Sequence, residues 1–315
     1  MDTLIGLEQA PAPSLPTDPA SPPRLAVIYN PTAGGARLRR YRAVLDRLAD
    51  AGCPLLELPT HRRGDAERFA AELTHRDCDR VVVAGGDGTI NEVANGLVSN
   101  PTDGRSLPLA LLPIGTANVI AREIGLPVRP ADIARCIAGG RPRPIALGRA
   151  NGRCFVIMVG AGFDAHVVAR VTGRLKHLLG KGAYAWQTLV HFRRFAFPTY
   201  RVEIGGRNFE VASVIVANGH FYGGPFVVCP NALLEIPSLE VCLFRSKGPF
   251  HALRYATAMV LGFLPRLPDI EIVTTTRLRV FGPRQDPLQG DGDIIAALPC
   301  EIEVLPDALD LIFPR

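Results

Sequence analysis

The chain has 315 residues, 47% of them hydrophobic, and a formal net charge of +5. That length supports two domains around a large core. The charge suits an anionic nucleotide or an acidic membrane surface and falls short of a nucleic-acid-binding balance. Seven cysteines (Cys53, Cys78, Cys136, Cys154, Cys229, Cys242, Cys300) are scattered, mostly in apolar runs, without a C-x-x-C pair. They indicate buried, reduced thiols in a cytoplasmic protein rather than a disulfide framework or a zinc site.

Residues 1–23 are rich in Pro and Ala and read as a disordered leader, without the basic start and apolar core of a signal peptide. Leu25 to Tyr29 is an apolar strand, followed by the turn-rich Asn30-Pro31-Thr32-Ala33-Gly34-Gly35. The next helix carries Leu38, Tyr41, Val44, Leu45 and Leu48 on one face and stops at Gly52. Leu55 to Leu58 is a second strand; Pro59-Thr60 leads through a charged loop into a helix over Asp65 to Leu73.

The third unit is the most informative. Val81 to Ala84 reads as a buried strand of a parallel sheet, and Gly85-Gly86-Asp87-Gly88-Thr89 follows it. Ile90, Val93, Ala94, Leu97 and Val98 then fall on one face of a helix. Thr89 and Glu92 have capping-box spacing, which predicts a helix start at Thr89. Glycines in a strand-to-helix turn leave backbone N–H groups free to hold phosphate. Asp87 is out of place beside an anion unless it binds Mg²⁺ or takes a proton; the plain alternative is a glycine turn with a surface acid. The fourth unit is Leu109 to Leu112, Pro113-Ile114-Gly115-Thr116, and a helix from Ala117 to Gly125. Successive strand–helix units argue for an open α/β sheet, and ligands bind such sheets beyond the carboxyl ends of the strands. Asn30, Thr60, Asp87 and Thr116 all fall there.

After Ala146 the pattern becomes strand-rich: Cys154–Val159, Tyr200–Ile204, Phe209–Ala217, Leu239–Phe244, Ile270–Thr275 and Arg277–Phe281. Gly205-Gly206 is a hairpin signal, and Asp291-Gly292-Asp293 is either a hairpin turn or a pair of working carboxylates. Helical stretches are expected over Lys176 to Arg194 and Phe250 to Leu261. The former is basic, and suits either an anionic membrane surface or a solvated helix face. No stretch reaches the roughly 20 apolar residues of a membrane span; the nearest, Ala252 to Leu264, is short and contains Arg254. There is no P-loop, no H-E-x-x-H and no G-x-S-x-G.

Three motifs, N-P-T-A-G from Asn30, G-G-D-G-T-I-N-E from Gly85 and P-I-G-T-A-N from Pro113, occur in an order and spacing that resemble the diacylglycerol kinase catalytic domain superfamily. Gly160-Ala161-Gly162-Phe163-Asp164, Phe221 through Ala232 and Asp291-Gly292-Asp293 also fit, so the resemblance covers nearly everything after residue 24. It implies an α/β nucleotide domain over 24–145 and an antiparallel β-sandwich lipid domain over 146–315, whose last residues are candidates to return to the first domain. It further implies a lipid kinase using ATP and Mg²⁺. Asn30, Thr60, Gly85, Gly86, Asp87, Gly88, Thr89, Asn91 and Thr116 are then expected around the nucleotide. Asp87, Asp291 and Asp293 are the catalytic candidates, Asp87 also the metal ligand, and Asp164 the contact to the lipid. Implied partners are ATP and a membrane lipid reached by peripheral contact, with a homodimer as one assembly and no nucleic acid.

Three departures stand out. The Asp that follows G-T-x-N in bacterial members is Val119 here, the Asp of the P-I-D-x-G stretch is Ala146, and an Asp-Gly that helps hold a structural Mg²⁺ is Ile236-Pro237. Val119 leans the acceptor toward a sphingoid or ceramide lipid rather than diacylglycerol. The lost acids leave a catalytically inactive lipid- or nucleotide-binding regulator as the alternative; a soluble kinase of the NAD kinase type shares only the glycine loop.

Overall fold

The computed structural model describes residues 21–31, 35–99, 106–162, 165 and 197–315. Residues 1–20 of the expected leader, Asp164 and the basic stretch 176–194 lie outside them.

The first half alternates strand and helix: β1 (Leu25–Tyr29), α1 (Gly35–Asp50), β2 (Leu55–Pro59), α2 (Asp65–Glu72), β3 (Arg80–Gly85), α3 (Asp87–Ser99), β4 (Leu109–Pro113), α4 (Val119–Glu123) and α5 (Pro130–Gly139). The strands are parallel in the order β2-β1-β3-β4. Unbroken apolar runs suit such strands because both faces are covered. Ala26, Ile28, Val81 and Val83 pack with α2, α3 and α4, whereas Leu25, Val27, Val82 and Ala84 pack with α1 and α5. Helix α1 buries Tyr41, Val44, Leu45 and Leu48 as its spacing requires, but leaves Leu38 37% exposed in its first turn.

Two helix starts differ from the sequence pattern. Helix α3 begins at Asp87 rather than Thr89. The Thr89–Glu92 capping box does not form, because Glu92 Oε2 instead accepts the Gly64 N–H at 3.1 Å, ahead of α2. Helix α4 begins at Val119 rather than Ala117, after Asn118 in the left-handed region at φ 49°.

The second half contains β5 (Arg141–Ala150), β6 (Arg153–Phe155), β7 (Met158–Ala161), β8 (Tyr200–Ile204), β9 (Arg207–Val211), β10 (Ser213–Ala217), β11 (Phe221–Tyr222), β12 (Phe226–Val227), β13 (Leu239–Phe244), α6 (Pro249–Val260), β14 (Ile270–Thr275), β15 (Arg277–Phe281), β16 (Pro287–Gly290), β17 (Asp293–Ala297) and β18 (Cys300–Phe313). One layer is the sheet β14-β13-β10-β7-β16-β17. The facing layer is antiparallel and continues the first sheet as β4-β18-β15-β8-β9, with β5 and β6 alongside. Phe155, Tyr200, Val202, Leu278 and Ile302 meet Val159, Val214, Val241, Leu243 and Leu288 between the layers, the usual core of a sandwich.

Strand β18 is the seam between the halves. Its early residues pair with β15, residues 302–305 and 309–313 pair with β5 across an irregularity, and Leu311 pairs in parallel with Leu109 of β4. Two expected single strands are divided. Phe209–Ala217 breaks at Ala212, so β9 stays in the shared sheet while β10 crosses to the other layer. Cys154–Val159 breaks at Val156-Ile157, whose N–H groups leave the ladder for a side chain described below.

Candidate active site

The parallel order β2-β1-β3-β4 reverses its direction of growth between β1 and β3, where ligands of open α/β sheets bind. Asn30 and Gly85 flank that point, and Thr60 and Thr116 follow the strands on either side. Asn30 is exposed; its N–H reaches the Ala84 carbonyl at 3.4 Å. Thr60 is buried, and both its N–H and its hydroxyl donate to the Tyr29 carbonyl, at 2.9 and 3.2 Å. Thr116 is exposed and its hydroxyl accepts from Arg37 Nη2 at 2.9 Å, which ties α1 to the loop after β4.

The glycine loop lies against that same loop. A Cβ on Gly115 would stand 2.5 Å from Gly86 Cα, so the two backbones approach as only glycines allow. The first intrahelical bond of α3 is Ile90 N–H to the Gly86 carbonyl at 3.1 Å. The amides of Gly88 and Thr89 therefore precede the ladder and carry the positive end of the helix. A Cβ on Gly88 would be 3.1 Å from Asp293 Oδ2, which places the end of the second half directly over this turn. A cleft of about 300 Å³ opens there, lined by Arg63, Gly88, Asn91, Arg153, Asp293 and Ile295 among others.

The three candidate carboxylates have different surroundings. Asp87 Oδ1 accepts the Ile120 N–H at 3.2 Å, at the N-terminal end of α4. Burial raises its pKa, against the opposing pull of the α4 backbone amides. Asp291 is enclosed: Oδ2 accepts from Val156 N (2.7 Å) and Asn91 Nδ2 (2.8 Å), Oδ1 from Ile157 N (3.0 Å) and Met158 N (3.1 Å). Burial pushes this carboxyl upward too, but all four partners are donors and none can receive a proton from it. Asp291 is thus a clasp holding the β6–β7 break to α3. Asp293 keeps 44% of its side chain exposed in the cleft and faces Arg63 Nη2 at 3.6 Å. It combines solvent access with a place beside the glycine turn.

Asn91, expected at the nucleotide, has its side chain engaged elsewhere. Its Nδ2 donates to Asp291 and to the Cys154 carbonyl (3.1 Å), and its Oδ1 accepts from Asn95 Nδ2 (3.1 Å). Asn95, which sequence reasoning passed over, also donates to the Cys154 carbonyl and accepts the Cys154 N–H, at 3.0 and 2.9 Å. Two asparagines four apart beside an apolar stripe were the available signal, since they share one side of a helix. A second tie was not legible in the sequence: Glu123 of α4 accepts the N–H groups of His220 and Phe221 at 3.0 and 3.3 Å.

The accessory metal positions hold no side-chain oxygen, because Ala146, Ile236 and Pro237 stand there. The strand is instead joined directly, by Ala146 N–H to the Leu234 carbonyl at 2.7 Å, and by buried Asn218, whose Nδ2 bridges the Ala146 and Val156 carbonyls at 2.8 Å each. These residues do not fit a structural Mg²⁺. Among the described residues no three His, Cys, Asp or Glu side chains cluster for a metal. A Mg²⁺ carried in by nucleotide phosphates needs only one or two carboxylates from the protein, and Asp87 and Asp293 are the carboxylates that the residues next to Gly88 offer. Val119 is 7% exposed and packs in the apolar core, so it offers no polar group to an acceptor.

An α/β half with its glycine turn under the rim of a β-sandwich defines a two-domain protein of NAD kinase-like build. Residues 24–150 match the diacylglycerol kinase catalytic domain, and residues 157–313 match the YegS C-terminal NAD kinase beta sandwich-like domain. A diacylglycerol kinase of Bacillus subtilis (strain 168) is 30% identical over 93% of this chain and 97% of its own. A protein of Pseudomonas putida described as a probable lipid kinase YegS-like is 31% identical over 87% and 90%. A crystal structure of a diacylglycerol kinase from Bacillus anthracis str. Sterne superposes with a TM-score of 0.71 over 93% of this chain and 97% of that one, at 23% identity, a likeness of fold. The chain belongs to the diacylglycerol kinase and YegS-like lipid kinase family.

Proposed function

We propose that the protein is an ATP-dependent lipid kinase that transfers the γ-phosphoryl group of ATP to a hydroxyl of diacylglycerol. The observation that carries this is the meeting of Gly88, in the first turn of α3, with Asp293 in one cleft between the halves, next in sequence to the close Gly86–Gly115 contact. Phosphoryl transfer asks for positioning and charge stabilisation more than covalent help. The Gly88 and Thr89 amides and the positive end of α3 supply both, with Asn30, Thr60 and Thr116 bordering the nucleotide. Mg²⁺, when bound with ATP, adds charge neutralisation at Asp87.

Asp293 accepts the proton of the lipid hydroxyl as its oxygen bonds to the γ-phosphorus and the bond from that phosphorus to the β–γ bridging oxygen breaks, leaving ADP. Asp87 fixes α4 and the phosphate side of the cleft; Asp291 and Asn91 hold the two halves in register. Asp164 contacts the lipid head group on the strength of its G-A-G-F-D motif. The name of the Bacillus subtilis relative favours diacylglycerol over a sphingoid acceptor. The setting is the cytoplasmic face of a membrane, reached peripherally; no helix among the described residues is long and apolar enough to cross one. Purified protein with labelled ATP, Mg²⁺ and a panel of diacylglycerol, sphingosine and ceramide tests the reading. Labelled phosphatidic acid is expected, label in another lipid corrects the acceptor, and no labelled lipid beside a working control overturns the proposal.

A further inference from the structure

Helix α6 is apolar on both sides although one side is bare. Tyr255 and Ala258 face the core, and the opposite face shows Phe250 at 73% exposure, Leu253 at 59% and Val260 at 63%, followed by Leu261 at 66% and Phe263 at 36%. Phe250, Leu253, Thr257 and Val260 are spaced at three, four and three residues, one continuous stripe along a helix. Five of the eleven large apolar side chains exposed among the described residues fall in this short stretch, so it is a patch rather than a scatter.

The inner face is firmly held. The Tyr255 hydroxyl donates to Asp269 Oδ2 at 2.5 Å and accepts the Ser246 N–H at 3.1 Å, and Arg254 pairs with Asp269. The stripe is therefore fixed outward. Its charge surroundings are one-sided. From Arg245 to Pro268 there is no Asp or Glu. Arg245 and Arg254 are neutralised by Glu271 and Asp269, but exposed Lys247 before the helix and exposed Arg266 after it have no acidic partner among the described residues.

We propose that the Phe250–Phe263 face of α6 docks the protein on an anionic lipid bilayer, the stripe entering the acyl boundary while Lys247 and Arg266 lie against the phosphates. An amphipathic interfacial helix binds by this combination of buried apolar area and basic flanks. The inference rests on the lipid-kinase reading for its purpose, since that substrate lies in a membrane, but it draws on residues outside the cleft.

The test uses the full chain, cosedimented with phosphatidylcholine vesicles with or without phosphatidylglycerol. Wild type is expected to bind the anionic vesicles more tightly. The double variant Phe250→Ser/Leu253→Ser is expected to lose about tenfold or more in partitioning, with an unchanged thermal midpoint and unchanged turnover on a short-chain diacylglycerol dissolved as monomers. All seven native thiols are buried, so a polarity-sensitive dye on Leu253→Cys reports the stripe directly and is expected to shift to the blue on adding vesicles. Wild type that ignores vesicles, a double variant that binds as well as wild type, or a dye that does not respond overturns the proposal. So does light scattering that shows a dimer which the double variant splits, because a second copy then covers the face. Vesicle binding lost in the variant while no lipid is phosphorylated by either protein keeps the docking surface and removes the kinase reading; normal phosphorylation with unaltered binding does the reverse.

Discussion

Two hairpins in the second half share one backbone and differ in what hangs on it. Gly205-Gly206 joins β8 to β9 with φ of 54° and 79°, and Asp291-Gly292 joins β16 to β17 with φ of 50° and 88°. Both are two-residue turns with two left-handed positions, which match the twist of the flanking strands. The first carries no side chain, and nothing lies within 4 Å of where a Cβ would be on either glycine. The second puts a non-glycine residue in a region that costs on the order of 1 kcal/mol and offsets it with four hydrogen bonds from elsewhere in the chain. The turn is therefore a local solution in both places. At 291–293 it is also a mount, setting one carboxylate inward as a clasp and the next at the cleft.

Replacing the inward carboxylate breaks the comparison most strongly. Asp291→Ala leaves the amides of Val156, Ile157 and Met158 and the Asn91 side chain buried without their acceptor, and is expected to lower stability by about 3–5 kcal/mol, read by urea unfolding. Stability within 1 kcal/mol of wild type would show that the clasp is ornamental. Asp293→Asn keeps turn and shape and removes the proton acceptor. Turnover is expected to fall about a hundredfold or more while the unfolding midpoint stays put; full activity would move the base to another residue.

Asp87→Asn sharpens the same contrast on the other side of Gly88. Asparagine still offers an oxygen to the Ile120 N–H without a buried charge, so phosphoryl transfer is lost while stability at neutral pH is equal to or above that of wild type. The folded carboxyl has its pKa raised by burial, so the native state binds the proton more tightly than the unfolded one. Wild type consequently gains on the variant as the pH falls through that raised value, and thermal melts across that range should show the gap closing. A gap that widens on acidification contradicts the assignment. The smallest effect belongs to the bare hairpin: Gly206→Ala is expected to lower stability by about 1–2 kcal/mol through its positive φ and to leave transfer untouched. Impaired catalysis there would mean that the β8–β9 end is coupled to the cleft.

Most of the strand–helix framework was legible because burial on one or two faces writes its period into the chain. β1, β8, β13, β14 and β15 occupy the spans their patterns mark. Two of the misreadings share one cause, a backbone group recruited by a distant partner. Glu92 looked like a capping residue but serves Gly64. Cys154–Val159 looked continuous but gives two amides to Asp291, and Phe209–Ala217 changes layers in mid-run.

The same division holds for the site. The chain by itself determined the glycine turn, the four loops that converge on it and the family to which they belong, since each is a short-range pattern of residue type and spacing. It could not tell Asp291 from Asp293, two neighbours in one motif, nor foresee that the Asn91 side chain ties α3 to the second half. Nor could it show that the apolar residues after Gly248 stand partly outside the core. Those outcomes depend on which groups, far apart in the sequence, β18 and the sandwich bring to within 3 Å of one another, and only the tertiary structure decided them.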